Sequence, residues 1–175
     1  MVTILSLCMR MGQEVRVIYD RGVSEPTDDA TAARTSAWHG LLRVHRDVAR
    51  ACDAALVRAH QLGLSAFDVL HAVGTAADGT LEMSVLVRNA LLSQSQVSRT
   101  VSTLVHLGLL ERHGAGVRSV RVSITPAGRD RLAAAYRTQA DTLDAVLFGP
   151  LAPDDVEHLA RLLDRVQAGA RYPHP

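Results

Sequence analysis

The chain has 175 residues, 47% of them hydrophobic, and a formal net charge of +1. It is long enough to bury one good core, and we expect one domain with extensions. Its six aromatic residues (one Trp, three Tyr and two Phe) are too few for aromatic stacking on single-stranded nucleic acid. Two cysteines, Cys8 and Cys52, exclude a disulfide framework or a zinc ribbon. The eight histidines lack metal-ligand spacing, so no metal and no cofactor are expected.

Three further classes of protein find no support in the sequence. No apolar run approaches the roughly 20 residues that a membrane-spanning helix needs. The apolar N-terminal VTILSLCM lacks the basic region and cleavage pattern of a signal peptide. Neither a G-x-S-x-G nucleophile motif nor a phosphate-binding glycine loop is present. We therefore expect a cytoplasmic protein that is not an enzyme and has no membrane partner.

Charge is distributed unevenly along the chain. The segment from Met83 to Arg129 contains six arginines and a single acid, Glu111, a net charge of +5, whereas the rest of the chain carries −4. A basic block within an acidic remainder is typical of a nucleic-acid-binding face.

The first third of the chain predicts a leader and one long helix. In residues 1–34, QEVRVIYDRG alternates like a strand, but the small, polar and acidic SEPTDDATAA that follows is typical of a flexible leader. Apolar residues from about Thr35 to Gln61 fall on one stripe at helical spacing, and Gly63 ends that helix.

Two shorter helices are expected next. Ser65 with Asp68 fits the capping box of a second helix that runs to about Ala76. After an Asp-Gly turn and a short extended segment, residues 80–83, a third helix covers about residues 84–91.

The fourth helix is the most clearly marked, in SQSQVSRTVSTLVHL, residues 93–107. Ser93 and Gln96 fit a capping box, and Gly108 suits a left-handed stop. One apolar stripe at 3.6 residues per turn is formed by Val97, Val101, Leu104 and Val105. The opposite face carries Ser95, Ser98, Arg99, Ser102 and His106 and no acid. Short hydroxyls without carboxylates suit a surface that meets the phosphates and base edges of a DNA major groove, although a solvated face that merely lacks acids is the alternative.

The segment after Gly108 predicts a hairpin and then two helices. LLERHGAGVRSVRVSIT reads as two short strands around a glycine-rich loop. Thr125 followed by Pro126 predicts the start of a long helix that ends near Phe148. The acids of PDD, residues 153–155, suit the start of a final helix.

This order of elements, helix, turn, polar-faced helix and basic hairpin, describes a winged helix–turn–helix. The residues also carry a resemblance: LSQSQVSRTVSTLVHLGLLER, VSITPAGRDRL and the tail FGPLAPDDVEHLARLLDRV resemble the MarR family of dimeric transcriptional regulators, named for multiple antibiotic resistance. The resemblance covers about residues 36–166.

The resemblance implies a mainly α fold with a small β-hairpin wing, in which a winged helix–turn–helix domain stands between N- and C-terminal dimerisation helices. The expected division is a leader at 1–34, a dimerisation helix at 35–62, the DNA-binding domain at 63–125 and dimerisation helices at 126–170. The implied function is a sequence-specific double-stranded DNA-binding regulator, expected to be a ligand-responsive repressor that binds a palindromic operator as a homodimer.

Carried over by residue, the resemblance implies two groups of DNA contacts. The recognition helix contributes Gln94, Ser95, Gln96, Ser98, Arg99 and Ser102, and the wing contributes Arg112, His113 and Arg118. The wing departs from the family pattern because HGAGVRS is short and has no Asp to brace an Arg. Ala152 also stands where a capping Ser is usual.

An effector pocket is a further hypothesis. Trp38, Leu42 and His45 of the first helix, with Asp68 and His71 of the second, could line a site for a small aromatic or phenolic effector. Such a stripe is more often plain core or dimer interface.

Two other functions remain open from the sequence. A winged helix can serve protein–protein assembly without sequence-specific DNA binding, its basic block meeting an acidic partner. Oxidation of Cys8 or Cys52 could also make the protein a redox-sensing regulator, although that needs an accessible thiolate.

Overall fold

A computed structural model describes residues 29–90, 92–114 and 120–169. Its helices are α1 (Asp29–His60), α2 (Leu64–Gly74), α3 (Met83–Asn89), α4 (Gln94–His106), α5 (Pro126–Leu143) and α6 (Pro153–Gly169). The strands are β1 (Thr80–Glu82), β2 (Leu110–His113) and β3 (Arg121–Ile124), and a π-helical segment, Asp144–Phe148, continues α5. The mainly α fold with a small β wing is therefore confirmed. None of the helices in these ranges is long and apolar enough to cross a membrane.

The beginning of the chain differs in one respect from the expectation. Helix α1 begins at Asp29, six residues before the predicted Thr35, so residues 29–34 are helical rather than part of a leader. Asp29 places a carboxylate in the first turn, where the helix dipole favours negative charge. The strand predicted in QEVRVIYDRG and the rest of the leader lie outside the described residues.

The start of α2 also differs from the sequence prediction. No side chain of its own first turn caps the helix, whose N-cap is Gly63, so the capping box of Ser65 and Asp68 was wrong. Instead the backbone N–H of Leu64 donates to Oδ1 of Asp53 at 2.8 Å. A carboxylate from the preceding helix thus satisfies one of the orphan amides at this end.

The extended segment before α3 joins the hairpin as a third strand. The sheet is antiparallel in the order β1-β3-β2, with Leu81 opposite Val122 and Leu110 opposite Ile124. Val122 and Leu110 are buried on the side that packs against the helices. Successive side chains of a strand point to opposite faces, so the alternate residues of β2 and β3 form an outer, polar face.

One hydrophobic core joins α2, α4, the sheet and the first half of α5. Its members with essentially no exposed surface include Leu70, Val73, Val97, Val101, Leu104, Val122 and Ala135. Helix α6, by contrast, has no buried residue. The core therefore joins the winged region, which we define as residues 64–124, to the end of α1 through Leu56, whereas α6 leaves Leu162, Leu163 and Val166 at least 41% exposed.

We predict that Gly128→Ala strongly destabilises the fold. A Cβ at this position in α5 would overlap the backbone carbonyl oxygen of Leu109 and lie 2.9 Å from Cγ1 of Ile124. Overpacking of this kind lowers the free energy of unfolding by about 3 kcal/mol, measurable by urea denaturation. Gly169→Ala, whose Cβ meets nothing within 4 Å, is the control and should change stability by less than about 0.5 kcal/mol. Equal stability of the two variants would contradict the close packing at Gly128.

Candidate nucleic-acid interface

The start of α4 is fixed by the predicted capping box. The backbone N–H of Gln96 donates to Oγ of Ser93 at 3.3 Å, and the backbone N–H of Ser93 donates to Oε1 of Gln96 at 2.9 Å. At the other end Gly108 takes a φ of +69°, the left-handed conformation that ends a helix. Both predicted ends are confirmed. The side-chain oxygen of Gln96, one of the expected DNA contacts, is thus engaged in holding the helix start.

The burial of α4 divides it into two faces. Val97, Val101 and Leu104 are buried against the core. Four of the expected contacts are exposed, namely Gln94, Ser95, Arg99 and Ser102, while Ser98 is half-buried at the edge of the face. Thr103 and His106 are exposed as well and were not among the expected contacts, although helical spacing places His106 on the same stripe as Ser95 and Ser102.

Several polar side chains of this exposed face bond to the helix backbone. Oγ of Ser102 donates to the carbonyl of Ser98 at 3.0 Å, and Oγ1 of Thr103 donates to the carbonyl of Arg99 at 3.1 Å. Nε of Arg99 donates to the carbonyl of Ser95 at 3.3 Å. With its hydrogen directed inward, a hydroxyl presents acceptor lone pairs outward. In this arrangement the surface can therefore accept hydrogen bonds from base amino groups.

The pleat of β2 separates the two expected wing contacts that the structure describes. Arg112 lies opposite Val122, on the sheet face that packs against the helices, whereas His113 lies opposite Arg121 on the outer face. Arg112 therefore shares the side of the sheet on which α4 lies. Arg118, the expected wing-tip cation, lies outside the described residues.

The outer face of the sheet carries charges of both signs. Nη2 of Arg121 lies 3.4 Å from Oδ2 of Asp78, a residue of the turn before β1. His113 Nε2 lies 2.7 Å from Oγ of Ser123 and 3.9 Å from Oε2 of Glu111. The wing has no Asp of its own, as the sequence indicated, but Asp78 supplies a carboxylate to its third strand from 43 residues earlier in the chain.

The five residues of the expected effector pocket do not converge within one chain. Trp38 is 50% exposed and lies 14 positions before Cys52 in α1, about 21 Å along the helix at 1.5 Å per residue. His45 is exposed too, and Leu42 is half-buried. Asp68 and His71, in contrast, lie close enough for the charge of His71 to act on Asp68, and Asp68 acts in turn on Cys52.

An aromatic cluster that the sequence did not predict stands beside Asp68. The ring of His71 is stacked on Phe67 with centroids 6.1 Å apart, and Tyr136 of α5 meets both rings edge-on at 5.4 Å. Burial raises the pKa of the Tyr136 hydroxyl. Helical spacing places Phe67 and His71 on one face of α2, but only the fold brings Tyr136 to them from a helix 65 residues away.

The thiol of Cys52 lies in a setting that opposes oxidation. Cys52 is 3% exposed; burial first, and the charge of Asp68 second, raises the pKa of its thiol. A thiolate is the reactive form, so this environment disfavours redox sensing at Cys52. Cys8 lies outside the described residues.

The geometry defines a winged helix–turn–helix, and comparisons with known proteins agree. A family model described as the IclR helix-turn-helix domain matches residues 66–114, the segment from α2 through β2. No curated protein matches the chain in sequence.

Solved structures of MarR family regulators share the fold of this chain. Sco3205 from Streptomyces coelicolor, in complex with DNA, has a TM-score of 0.71 at 19% identity, covering 81% of this chain and 94% of its own. AbsC from the same organism has a TM-score of 0.68 at 18% identity, with coverages of 83% and 97%. Apo MarR from E. coli has a TM-score of 0.63 at 21% identity, with coverages of 73% and 94%. The resemblance to this family is thus confirmed at the level of the fold.

We predict that Asp68→Asn stabilises the protein at neutral pH. The Asp68 residue keeps some exposed surface, but packing around its carboxyl group raises the pKa, with the charge of His71 partly opposing that rise. A raised carboxyl pKa favours the folded state at low pH, and that contribution is lost as pH rises through the folded pKa. The advantage of the Asn variant should therefore be absent below pH 3.8, the ordinary carboxyl value, and grow as pH rises.

The measurement is urea unfolding of both proteins across a pH series, with Asp164→Asn on exposed α6 as the control. An Asp68→Asn variant that is equally destabilised at every pH would contradict the assignment.

Proposed function

We propose that this protein is a homodimeric transcriptional regulator that binds double-stranded DNA in a sequence-specific manner, with α4 in the major groove. We expect it to act as a ligand-responsive repressor and, since its site is the chromosome, in the cytoplasm. The observation that carries the proposal is the exposed stripe of α4, which presents Ser95, Arg99 and Ser102 and contains no acid. A duplex surface repels carboxylates, whereas hydroxyls and a guanidinium meet phosphates and base edges.

The comparisons support this proposal by analogy. Sco3205, whose fold this chain shares, is a MarR family transcriptional regulator solved in complex with DNA, and AbsC is a second MarR family transcriptional regulator. A shared fold is an analogy and does not itself assign a function. The chemistry of α4 and of Arg112 gives the analogy its physical content.

The proposed dimer rests on apolar surface that one chain leaves uncovered. Leu162, Leu163 and Val166 of α6, with Trp38 and Leu41 of α1, are between 41% and 67% exposed. Amphipathic helices in proteins gain most of their stability from packing such a stripe against another element. A two-fold dimer would set two copies of α4 about one DNA turn apart, so we expect an imperfect palindrome as the operator.

The first experiment is fluorescence anisotropy on the DNA flanking the protein's own gene and on duplexes selected from a random pool, over a salt series. Tight binding that resists random competitor, with log K falling steeply as log salt rises, is the expected result. Equally weak binding to every duplex would overturn the proposal.

We predict different effects for substitution of Arg99 in α4 and of Arg112 in the wing. Arg99→Ala should relax the preference at one base pair by about 1–3 kcal/mol. Arg112→Ala should weaken binding to all duplexes alike and reduce the salt slope by about one, because it removes a phosphate contact. The matched control is Arg121→Ala, on the opposite face of the same wing and paired with Asp78. A control that weakens binding as much as Arg112→Ala would contradict the assignment of the DNA-facing side.

We also predict that Leu162→Glu converts the dimer to a monomer. A carboxylate in the apolar stripe of α6 would be buried without a partner, which costs several kcal/mol. Ala168→Glu, which places the same side chain on the side of the helix opposite the stripe, should remain dimeric. Sedimentation equilibrium distinguishes the two. A wild-type monomer, or a dimeric Leu162→Glu variant, would contradict the proposed interface.

The proposal also includes an effector and further DNA contacts, and one alternative function stands beside it. The effector is expected to be a small aromatic or phenolic molecule, and the rings of Phe67, His71 and Tyr136 support that chemistry more directly than Trp38 does. The remaining DNA contacts Gln94, Gln96, Ser98 and Arg118 stay part of the proposed set, whereas His113 is left out of it because it lies on the outer face with Arg121. An assembly module whose basic face meets an acidic protein is the second candidate; binding that does not discriminate among duplexes would favour it.

A further inference from the structure

The winged region is attached to the proposed dimerisation helices along three routes. One is α5, whose first half contributes Leu132 and Ala135 to the core and which runs beside α1. Another is the end of α1, whose Leu56 is buried in the same core. The third is the corner between α1 and α2, residues 61–63. The start of α5 moves with the winged region, so the attachments to α1 restrict how this unit turns relative to the dimerisation helices, and the corner is the attachment made by hydrogen bonds.

Three hydrogen bonds tie this corner to the helices around it. Oδ1 of Asp53, in α1, accepts from the backbone N–H of Leu64 at 2.8 Å. Nη1 of Arg131, in α5, donates to the carbonyl of His60 at 2.7 Å. The ring Nε2 of His60 lies 2.8 Å from Oγ1 of Thr138, also in α5. Each bond joins two different helices, and together they link the end of α1, the start of α2 and the middle of α5.

The backbone of the corner is held in an unusual conformation. Gln61 has a φ of +57°, and among the described residues no other non-glycine residue has a positive φ. Such a conformation persists only where its surroundings hold it in place. A Cβ at Gly63 would lie 3.2 Å from Oδ1 of Asp53, so the capping carboxylate also lies directly against the turn.

We propose that Asp53 and Arg131 are positioning residues that fix the orientation of each winged region relative to the dimerisation helices, and so set the half-site spacing that the dimer accepts. The inference rests on the proposed function. Neither residue touches DNA in this assignment. Their side chains restrain the corner, and the restraint confines the two copies of α4 to one separation.

The test measures spacing preference separately from base preference. The probe is a duplex selected from a random pool by the wild-type protein, together with versions that have one base pair inserted or removed between the half-sites. One base pair displaces a half-site by about 3.4 Å along the axis and rotates it by roughly a tenth of a turn. The wild-type dimer should lose about tenfold or more in affinity on either change.

The variants are Asp53→Ala and Arg131→Ala, singly and combined, because alanine can neither accept from Leu64 nor donate to His60. We expect the affinity of the combined variant to fall by less than about threefold on the same insertion or deletion. A base substitution within a half-site should still weaken its binding as much as it weakens binding by the wild-type protein. Asp47→Ala on α1 and Arg137→Ala on α5 make the same chemical changes at residues that take no part in these three hydrogen bonds, and should keep the wild-type spacing penalty. A merely structural loss would lower affinity for every duplex by the same factor, and that outcome would overturn the proposal.

A second readout needs no DNA. Spin labels attached at Ser102→Cys, with Cys8→Ser and Cys52→Ala in the background, report the distance between the two copies of α4 in the full-length dimer. The combined variant should show a broader distance distribution than wild type, and an unchanged distribution would overturn the proposal. If the wild-type protein prefers no duplex, the proposed function is wrong. The distance measurement still decides whether the corner restrains the winged region.

Discussion

The junction between the wing and α5 is the contact on which the arrangement of the winged region depends. Oγ1 of Thr125 accepts from the backbone N–H of Gly128 at 2.9 Å and donates to the carbonyl of Gly108 at 2.7 Å. The backbone N–H of Thr125 donates to the carbonyl of Leu109 at 3.1 Å, against which Gly128 packs without space for a Cβ. One threonine thus caps α5 and ties its start to the residue that ends α4. Helix α4 cannot move relative to the start of α5 without breaking these hydrogen bonds.

The consequence is a division between a self-sufficient part and a part that needs a partner. The winged region and the end of α1 bury one core within a single chain, around Leu56, Val101 and Val122, whereas α6 has no buried residue. The two parts are therefore stabilised in different ways. Apolar burial within one chain stabilises the first part, whereas association of two chains stabilises the second, whose stability depends on protein concentration. Because α5 belongs to both parts, a change at the dimer interface can reach α4 through the Thr125 junction. Any effector acts only through its difference in affinity for the two arrangements.

Local signals allowed much of this fold to be predicted from the sequence. The capping box of Ser93 and Gln96, the stop at Gly108 and the start at Thr125 each depend on residues within one turn of the helix end, so their spacing along the chain reports the contact itself. Long-range contacts leave no such spacing. The Asp53 cap of α2 spans 11 residues between two helices, and the more familiar pattern at Ser65 suggested a cap that does not form. The aromatic contact of Tyr136 with Phe67, and the failure of Trp38 to reach Asp68, also depend on how whole helices pack.

The same limit explains why the net charge said so little about DNA binding. The formal charge of +1 for the whole chain does not show how charged side chains are distributed between the two faces of the sheet. That distribution depends on the pleat of the strands. Asp78 and Glu111 lie by Arg121 and His113 on or beside the outer face, where opposite charges offset one another. Arg112 lies on the other face of the strand, on the side of an α4 that has no carboxylate of its own. Because charges beyond about 10 Å are largely screened at moderate salt, the nearest charges dominate, and a duplex approaching α4 meets more positive charge than the average for the whole chain.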